Sequence, residues 1–600
     1  MPEFRTRSHL PRRAATIAAC ALAIALPAWA GDAFAQDAPT PPPAPKLDRF
    51  RVKIDLPPAA AATTASPESG QIDSTPAPAS LSGRLILFFT PDSPRWADRA
   101  PIDAPFFEKP QPLAAISVDR VEGGAFIEID PIRADAFGDP LRSLNGTFRV
   151  QALLDLDNTV RGHLAPGNLV SEIVSVELAS DRVDSLDLVL SKAIAADPAP
   201  PEDSGVVWVE RRSDLLSRHF GRPTVLRAGV VVPYGYHDLA FDRRFWPSVY
   251  VVPGFGGTRL SAIAAAPALQ EPDARAAVPQ AVWIYLDAET IWGHHGFCDS
   301  ESNGPVGRAL VEEFIPFLEE RFRLVARTEA RLVTGHSSGG WTAMHLALDH
   351  PETFGACFAS APDPVDFTAF QKTDLYRDRS LFAMQDGRAT PSYRGILGPE
   401  EDRVFMNVED EYAVEQVLDP TGRSGQQWSA WEAMWSPVDA ARAGPRRICD
   451  PATGAIDLET VAAWSRHDIA RRIDAAFASG DDTLARILAE RVRLVVGSRD
   501  SYYLNEAVAR LRARLDGWRA RAEERGAPLP NGPGFIEILD GLTHDTAYPV
   551  AQLRFHRAMQ DHLRAHGLAS APSVDRARVD PAWSESAPSP GRDARPRVRP

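Results

Sequence analysis

A serine with a glycine two residues away on each side, Gly335-His336-Ser337-Ser338-Gly339, is the first group in this chain whose types and spacing could do chemistry. A short apolar run, 330–334, precedes it, and a helical run, 341–349, follows it. A sharp strand-to-helix turn brings backbone atoms close together, so small residues are needed around the serine, and the turn lifts the serine oxygen out of the sheet. The helix that begins there offers free N–H groups and the positive end of its dipole. Ser337 is therefore the candidate nucleophile. Ser338 does not fit that place, because His336 would then stand where the first glycine is required.

A serine hydroxyl needs a base, and the base needs an orienting carboxylate. On a turn of this type the chain order is serine, acid, histidine. Asp500 follows the apolar run 492–496, at the strand end where catalytic side chains of a parallel sheet collect. A cap on the helical run 504–511 is the alternative. Four histidines follow it. His544 sits in a loop-like stretch after the run 535–539, whereas His556 and His562 read as surface residues of a helix and His566 lies near the tail. His467 precedes Asp500 and breaks the order. The expected constellation is Ser337, Asp500 and His544. A developing oxyanion needs two N–H donors. One is expected from Ser338 and the other from Phe255 or Gly256, in Pro253-Gly254-Phe255-Gly256-Gly257 after the run 249–252. A plain glycine turn is the alternative for that loop.

The elements that must position these residues read as two units. Residues 81–192 alternate with period two, clearest in Phe148, Val150, Ala152 and Leu154 and in Leu186, Leu188 and Leu190, which predicts a small all-β, sandwich-like domain. From about residue 206 apolar strand-like runs alternate with helical ones. That pattern predicts a mostly parallel sheet with helices on both faces. Pro316 inside the helical run 306–322 should kink or break it. About 130 residues, 361–490, separate two strand-like runs, far more than a sheet crossover needs, and read as a cap-like insertion. Trp428, Trp431 and Trp435 in it share one helix face and are expected to pack the cap, with an aromatic or acyl pocket as the alternative.

Together these residues resemble the esterase branch of the α/β-hydrolase superfamily, which includes esterase D, enterochelin esterases, feruloyl esterases and mycolyltransferases. The resemblance covers roughly residues 206–566. It rests on residues 250–257, Gly304-Pro305, Gly335 to Gly340 with Trp341, Gly497 with Asp500, and Thr543-His544. It implies an α/β-hydrolase fold and carboxylic-ester hydrolysis through an acyl-enzyme. Enterochelin esterases also place a β-domain ahead of the catalytic one. The insertion is long for the simpler members. An acyltransferase using the same acyl-enzyme, or a non-catalytic binding protein of the same fold, are the alternatives.

Composition bounds the partners. The 600 residues carry a formal charge of −15. Arg5, Arg7, Arg12 and Arg13, an uncharged apolar run 14–26 and two small-x-small sites ending at Ala30 and Ala35 predict a signal peptide over 1–35 and a periplasmic or secreted protein. Loss of that segment leaves a charge of −17 and no stable membrane anchor. So acidic a chain is a poor ligand for nucleic acid, and a small-molecule ester is the expected partner. The oligomeric state is not legible. Residues 36–80 read as a disordered Pro/Ala-rich linker and 571–600 as a disordered tail. No cofactor is indicated. His294-His295 with Cys298 and Asp299 gather possible ligands, but adjacent histidines rarely share one ion, so no metal is expected. Cys20 leaves with the signal; of Cys298, Cys357 and Cys449 only Cys298 with Cys449 suggests a disulfide.

Overall fold

The computed structural model describes residues 46–568, apart from 48, 56–79, 107–109, 130–132, 139–143, 157–161, 179–184, 197–199, 203, 272–276 and 399–400. The expected signal segment at 1–35, much of the expected linker and the expected tail at 571–600 lie outside the described residues.

The first unit is a ten-stranded, connected sheet. Strands Ser80–Pro91 and Gly146–Asp155 form its antiparallel centre. Leu85, Leu87 and Phe89 face one core with Val150, Ala152 and Leu154, while Ile86, Phe88 and Leu153 face the opposite side. Both faces are covered, which is why 85–89 reads as an unbroken apolar run. Phe50 and Phe89 lie four strand steps apart along the sheet, about 19 Å if it were flat. Their rings nevertheless meet edge to face at 5.4 Å, so the sheet folds over itself as a sandwich.

One boundary is corrected here. Part of the expected linker, Arg49–Ile54, is a strand that pairs with Ser185–Ala193 and Phe126–Ile129. Phe50, Val52 and Ile54 are buried in the sandwich core. They alternate with Arg49, Arg51 and Lys53, a strand pattern masked by the proline-rich flanks.

Among the described residues, the main sheet of the second unit has eight strands: β1 Val207–Arg212, β2 Val225–Val231, β3 Ser248–Val252, β4 Val282–Leu286, β5 Arg331–His336, β6 Ala356–Ser360, β7 Val492–Gly497 and β8 Phe535–Leu539. Their order is β1-β2-β4-β3-β5-β6-β7-β8. β2 runs antiparallel to both neighbours, and all later pairs are parallel. β1 has no clear sequence signature because it is an edge strand whose Glu210, Arg211 and Arg212 are exposed.

Six helices bear on the site: α1 Ser261–Gln270, α2 Ser338–Asp349, α3 Val408–Leu418, α4 Gln427–Trp435, α5 Leu504–Glu524 and α6 His544–Ala565. Alternation assigns the sheet faces. Val249 and Leu332 meet α1 and α6 through Ala262, Ala266, Ala547 and Phe555, whereas Tyr250 and Val333 share a core with Leu346 of α2 and Val508 and Leu511 of α5. The run 306–322 continues past its proline. A π-helical turn, Ala309–Phe314, separates Val306–Arg308 from Ile315–Arg321, so Pro316 stands in the first turn of a new α segment, where its missing N–H costs nothing.

The insertion between β6 and β7 contains a hairpin, Pro391–Ile396 with Asp402–Asn407, followed by α3 and α4. Trp428, Trp431 and Trp435 are buried among Phe370, Tyr412 and Trp464, so packing and not an open acyl pocket is their role. The far side of α3 docks on the sandwich, where Val414, Val417 and Leu418 pack against Ile86, Phe88 and Leu153. Cys298, Cys357 and Cys449 are all free and buried; Cys298 faces His467 Nδ1 at 3.5 Å instead of Cys449. Among the described residues no helix is long and apolar enough to cross a membrane.

Phe50→Ala removes a fully buried ring and should cost about 3–5 kcal/mol. Urea unfolding followed by near-UV signal will show it; an unchanged midpoint would mean that 49–54 does not belong to the sandwich.

Candidate active site

Ser337 occupies the turn between β5 and α2 with φ 58° and ψ −126°. A non-glycine residue held there stores of order 1–3 kcal/mol of strain. Several hydrogen bonds, each worth about 1 kcal/mol, offset it. The Ser337 N–H donates to Ser360 O at 2.9 Å, and Ser337 O accepts from the N–H groups of Gly340 and Trp341 at 2.8 and 3.1 Å. The turn also demands missing side chains. A Cβ on Gly335 would lie 2.1 Å from Gly339 O, and one on Gly339 would lie 2.3 Å from Val252 O. The serine itself stays half-buried, at the N-terminus of α2.

Asp500 and His544 meet. Asp500 follows β7 and is fully buried. Its Oδ2 accepts from His544 Nδ1 at 2.7 Å, while Oδ1 accepts from the N–H groups of Tyr502 and Leu504 at 2.9 and 3.3 Å. The helix-cap reading and the histidine-partner reading of Asp500 therefore both hold, one for each oxygen. His544 is the first residue of α6, not a loop residue; Thr543 caps that helix in a reciprocal box with Thr546. Burial pulls the His544 pKa down, but the Asp500 charge and hydrogen bond outweigh it and hold the value above the ordinary 6.5.

His544 is tied to the serine turn through His336, whose ring lies 4.4 Å from its own. On the other side Tyr502 presents an edge-to-face contact at 5.0 Å. Burial, with His544 alongside, keeps the His336 pKa well below 6.5, so this neighbour is neutral.

Of the expected oxyanion residues, Ser338 adjoins Ser337. Ser338 opens α2, so its N–H has no preceding turn to bond. The loop after β3 passes beside Ser337 at Gly254, where a Cβ would stand 3.5 Å from Ser337 Cβ. Phe255 and Gly256 follow in a tight turn closed by Gly257 N–H on Gly254 O at 2.9 Å.

Two residues outside the expected constellation, His294 and Asp363, support this arrangement. His294 Nδ1 accepts from Gly296 N–H at 3.1 Å, so Nε2 carries the proton and donates to Pro253 O at 3.0 Å. It ties down the loop after β3. His295 is a neutral core residue, its pKa lowered to about 3 by burial and by His294. Among the described residues no metal-binding cluster occurs. Asp363, two residues past the β6 turn, accepts from Ser338 Oγ at 2.7 Å and from Trp431 Nε1 at 2.8 Å, joining α2 to the insertion. Its place beyond a strand's C-terminal end was the available sequence signal. His562 is buried with Nε2 on Glu329 O at 2.9 Å, and is not the surface residue expected.

Burial raises the Asp363 pKa to about 6, against the pull of the Trp431 and Ser338 hydrogen bonds. Between the unfolded value near 3.8 and about 6 the folded protein keeps a proton that the unfolded chain releases. Stability from this group therefore falls as pH rises through that window, on the order of 3 kcal/mol in all. Asp363→Asn keeps an oxygen acceptor and should flatten the dependence of Tm on pH between 4 and 6; parallel curves for both proteins would contradict it.

Comparison with known proteins follows this geometry. No curated protein matches the sequence. Solved structures that align include a ferulic acid esterase, 12% identical, covering 60% of this chain and 98% of the other at a TM-score of 0.34. A fluorophosphonate-binding serine hydrolase from Staphylococcus aureus is 12% identical, covering 59% and 98% at 0.31. An S-formylglutathione hydrolase from Agrobacterium tumefaciens is 16% identical, covering 62% and 99% at 0.31. The sequence model of the family described as "Putative esterase" matches residues 302–527, the segment that carries the serine turn, β7 and Asp500. Over that segment, less than half of the 600 residues, the chain is similar to esterases of the α/β-hydrolase type, and the match supports a carboxylic-ester hydrolase.

Proposed function

We propose that Ser337, His544 and Asp500 form the catalytic triad of this esterase and that water is the final acyl acceptor. The observation that carries the reading is the 2.7 Å bond between His544 Nδ1 and buried Asp500, made by an imidazole packed against the residue before Ser337. That bond holds the proton on Nδ1 and leaves Nε2 as the base. His544 takes the Ser337 proton as Oγ attacks the ester carbonyl. The tetrahedral oxyanion is received by the N–H of Ser338 and that of Phe255 or Gly256. The imidazolium then protonates the leaving alcohol. Water, deprotonated by the same nitrogen, releases the acid from Ser337. The substrate is a small-molecule carboxylic ester. Residues 1–35 direct export, so the enzyme acts in the periplasm or outside the cell.

Ser337→Ala should lower kcat for p-nitrophenyl acetate by on the order of 10⁴-fold or more with Tm little changed. Retained turnover would remove Ser337 from the mechanism. Only neutral His544 can act as base, so kcat/KM should rise along an acid limb centred above 6.5. In Asp500→Asn the raising partner is gone while burial remains, so the limb should move down and the rate fall by about 10⁴-fold. An acid limb at or below 6.5 in the wild type would count against the pair. N-terminal sequencing of the exported protein should begin after Ala30 or Ala35; an intact Met1 would refute export by cleavage.

A further inference from the structure

We propose that Arg394, in the insertion's hairpin, is a positioning residue that sets the Asp500–His544 pair. The proposal rests on the triad reading above. Asp500 stands in a short loop between β7 and α5, and its two carboxylate oxygens must satisfy two different elements at once. Inside the loop, Tyr503 N–H donates to Asp500 O at 3.2 Å, and Arg499 N–H donates to Leu542 O at 2.9 Å. The hairpin adds a grip from outside the loop. Arg394 Nε and Nη2 both donate to Asp500 O at 3.1 Å, and the Arg394 N–H donates to Ser501 O at 3.0 Å. The fork is itself oriented, with Nη1 on Asp402 Oδ2 at 2.7 Å and the guanidinium 4.4 Å from the Tyr503 ring centroid. Tyr503 holds a left-handed φ of 62°, so the clamp sits where the chain is strained.

The grip is reciprocal. Arg499, one residue before the acid, reaches back with Nη1 on Gly398 O at 2.6 Å and Nη2 on Glu401 O at 3.1 Å. Beside Arg394, Tyr393 packs on Tyr502 at 5.1 Å, and Tyr502 in turn meets the His544 ring at 5.0 Å. The hairpin therefore reaches the acid through a charged fork and the base through an aromatic contact. Arg394 touches neither substrate nor reacting atoms. Its part is to keep the Asp500 carboxylate aimed at Nδ1. A lysine supplies one ammonium without the planar fork, and cannot hold the same carbonyl through two donors while bonding Asp402.

The test compares wild type, Arg394→Lys and Arg394→Ala in the full-length protein. Rates of p-nitrophenyl acetate hydrolysis, pH profiles, Tm and the rate at which a fluorophosphonate labels Ser337 are measured. Both variants should lose between about 10- and 100-fold in kcat at a KM within about twofold of wild type. The acid limb should move to lower pH, as the bond that raises His544 loosens. Labelling of Ser337 should slow in parallel, and guanidinium ion at sub-denaturing concentration should restore part of the alanine variant's rate. Wild-type labelling rate and acid limb in a folded Arg394→Lys would overturn the clamp while leaving the triad intact. Should the alanine variant fail to fold, the lysine variant decides alone. A wild type that the probe does not label at Ser337 would overturn the triad reading, and the clamp with it.

Discussion

The close approach of backbone to backbone around residues 335–339 is the constraint on which the rest of this enzyme hangs. α2 begins so near the ends of β3 and β5 that no side chain fits at Gly335 or Gly339. That contact sets the serine turn against the loop after β3, which brings Gly254 beside Ser337. The turn's own N–H bonds to Ser360 at the end of β6. Strand order does the remainder. With β5 flanked by β3 and β6, and β7 and β8 beyond, the segments after β7 and β8 that carry Asp500 and His544 lie on the same edge as Ser337.

A site assembled this way must bury charge, and it does so through hydrogen bonds in preference to ion pairs with Arg or Lys. Asp500 has two backbone N–H donors and an imidazole. Asp363 has a hydroxyl and an indole N–H. A carboxylate left without such donors would cost several kcal/mol on burial. Burial pushes Asp363 toward protonation against the pull of its two neutral donors, whereas the Asp500 contact raises the basicity of His544. Two carboxylates on one sheet edge thus stand in different electrostatic roles.

What the sequence disclosed follows the range of the interactions. The serine turn is a five-residue pattern, and the apolar runs of β3 to β8 are local, so both are readable directly. The meeting of Asp500 and His544 was legible because chain order in a parallel sheet constrains which loops converge. Contacts without a local signature were not. Ser338 reaches Asp363 25 residues away, Trp431 reaches it from 68, and Arg394 reaches Asp500 from 106. β1 and the strand Arg49–Ile54 were obscured for other reasons: exposed charges at an edge in one case, proline-rich flanks in the other. His294 was visible as a possible ligand, but its role depends on the Pro253 carbonyl, which only the folded sheet brings within reach.

The insertion joins parts that the sheet alone would leave separate. α3 follows directly on the hairpin at Asn407, and its far side packs on the sandwich. Arg84 of the sandwich closes the end of α3 with Nε and Nη2 on Val417 O at 3.1 and 2.9 Å. At the other end of the same segment, the hairpin holds the acid loop. α4 then sends Trp431 to Asp363 behind the serine turn, and Ala430 lies 3.0 Å from the Cβ position of Gly293, next to His294. The Asp500 loop, the serine turn and the loop after β3 are each contacted by one continuous stretch of chain, and the sandwich packs on that stretch.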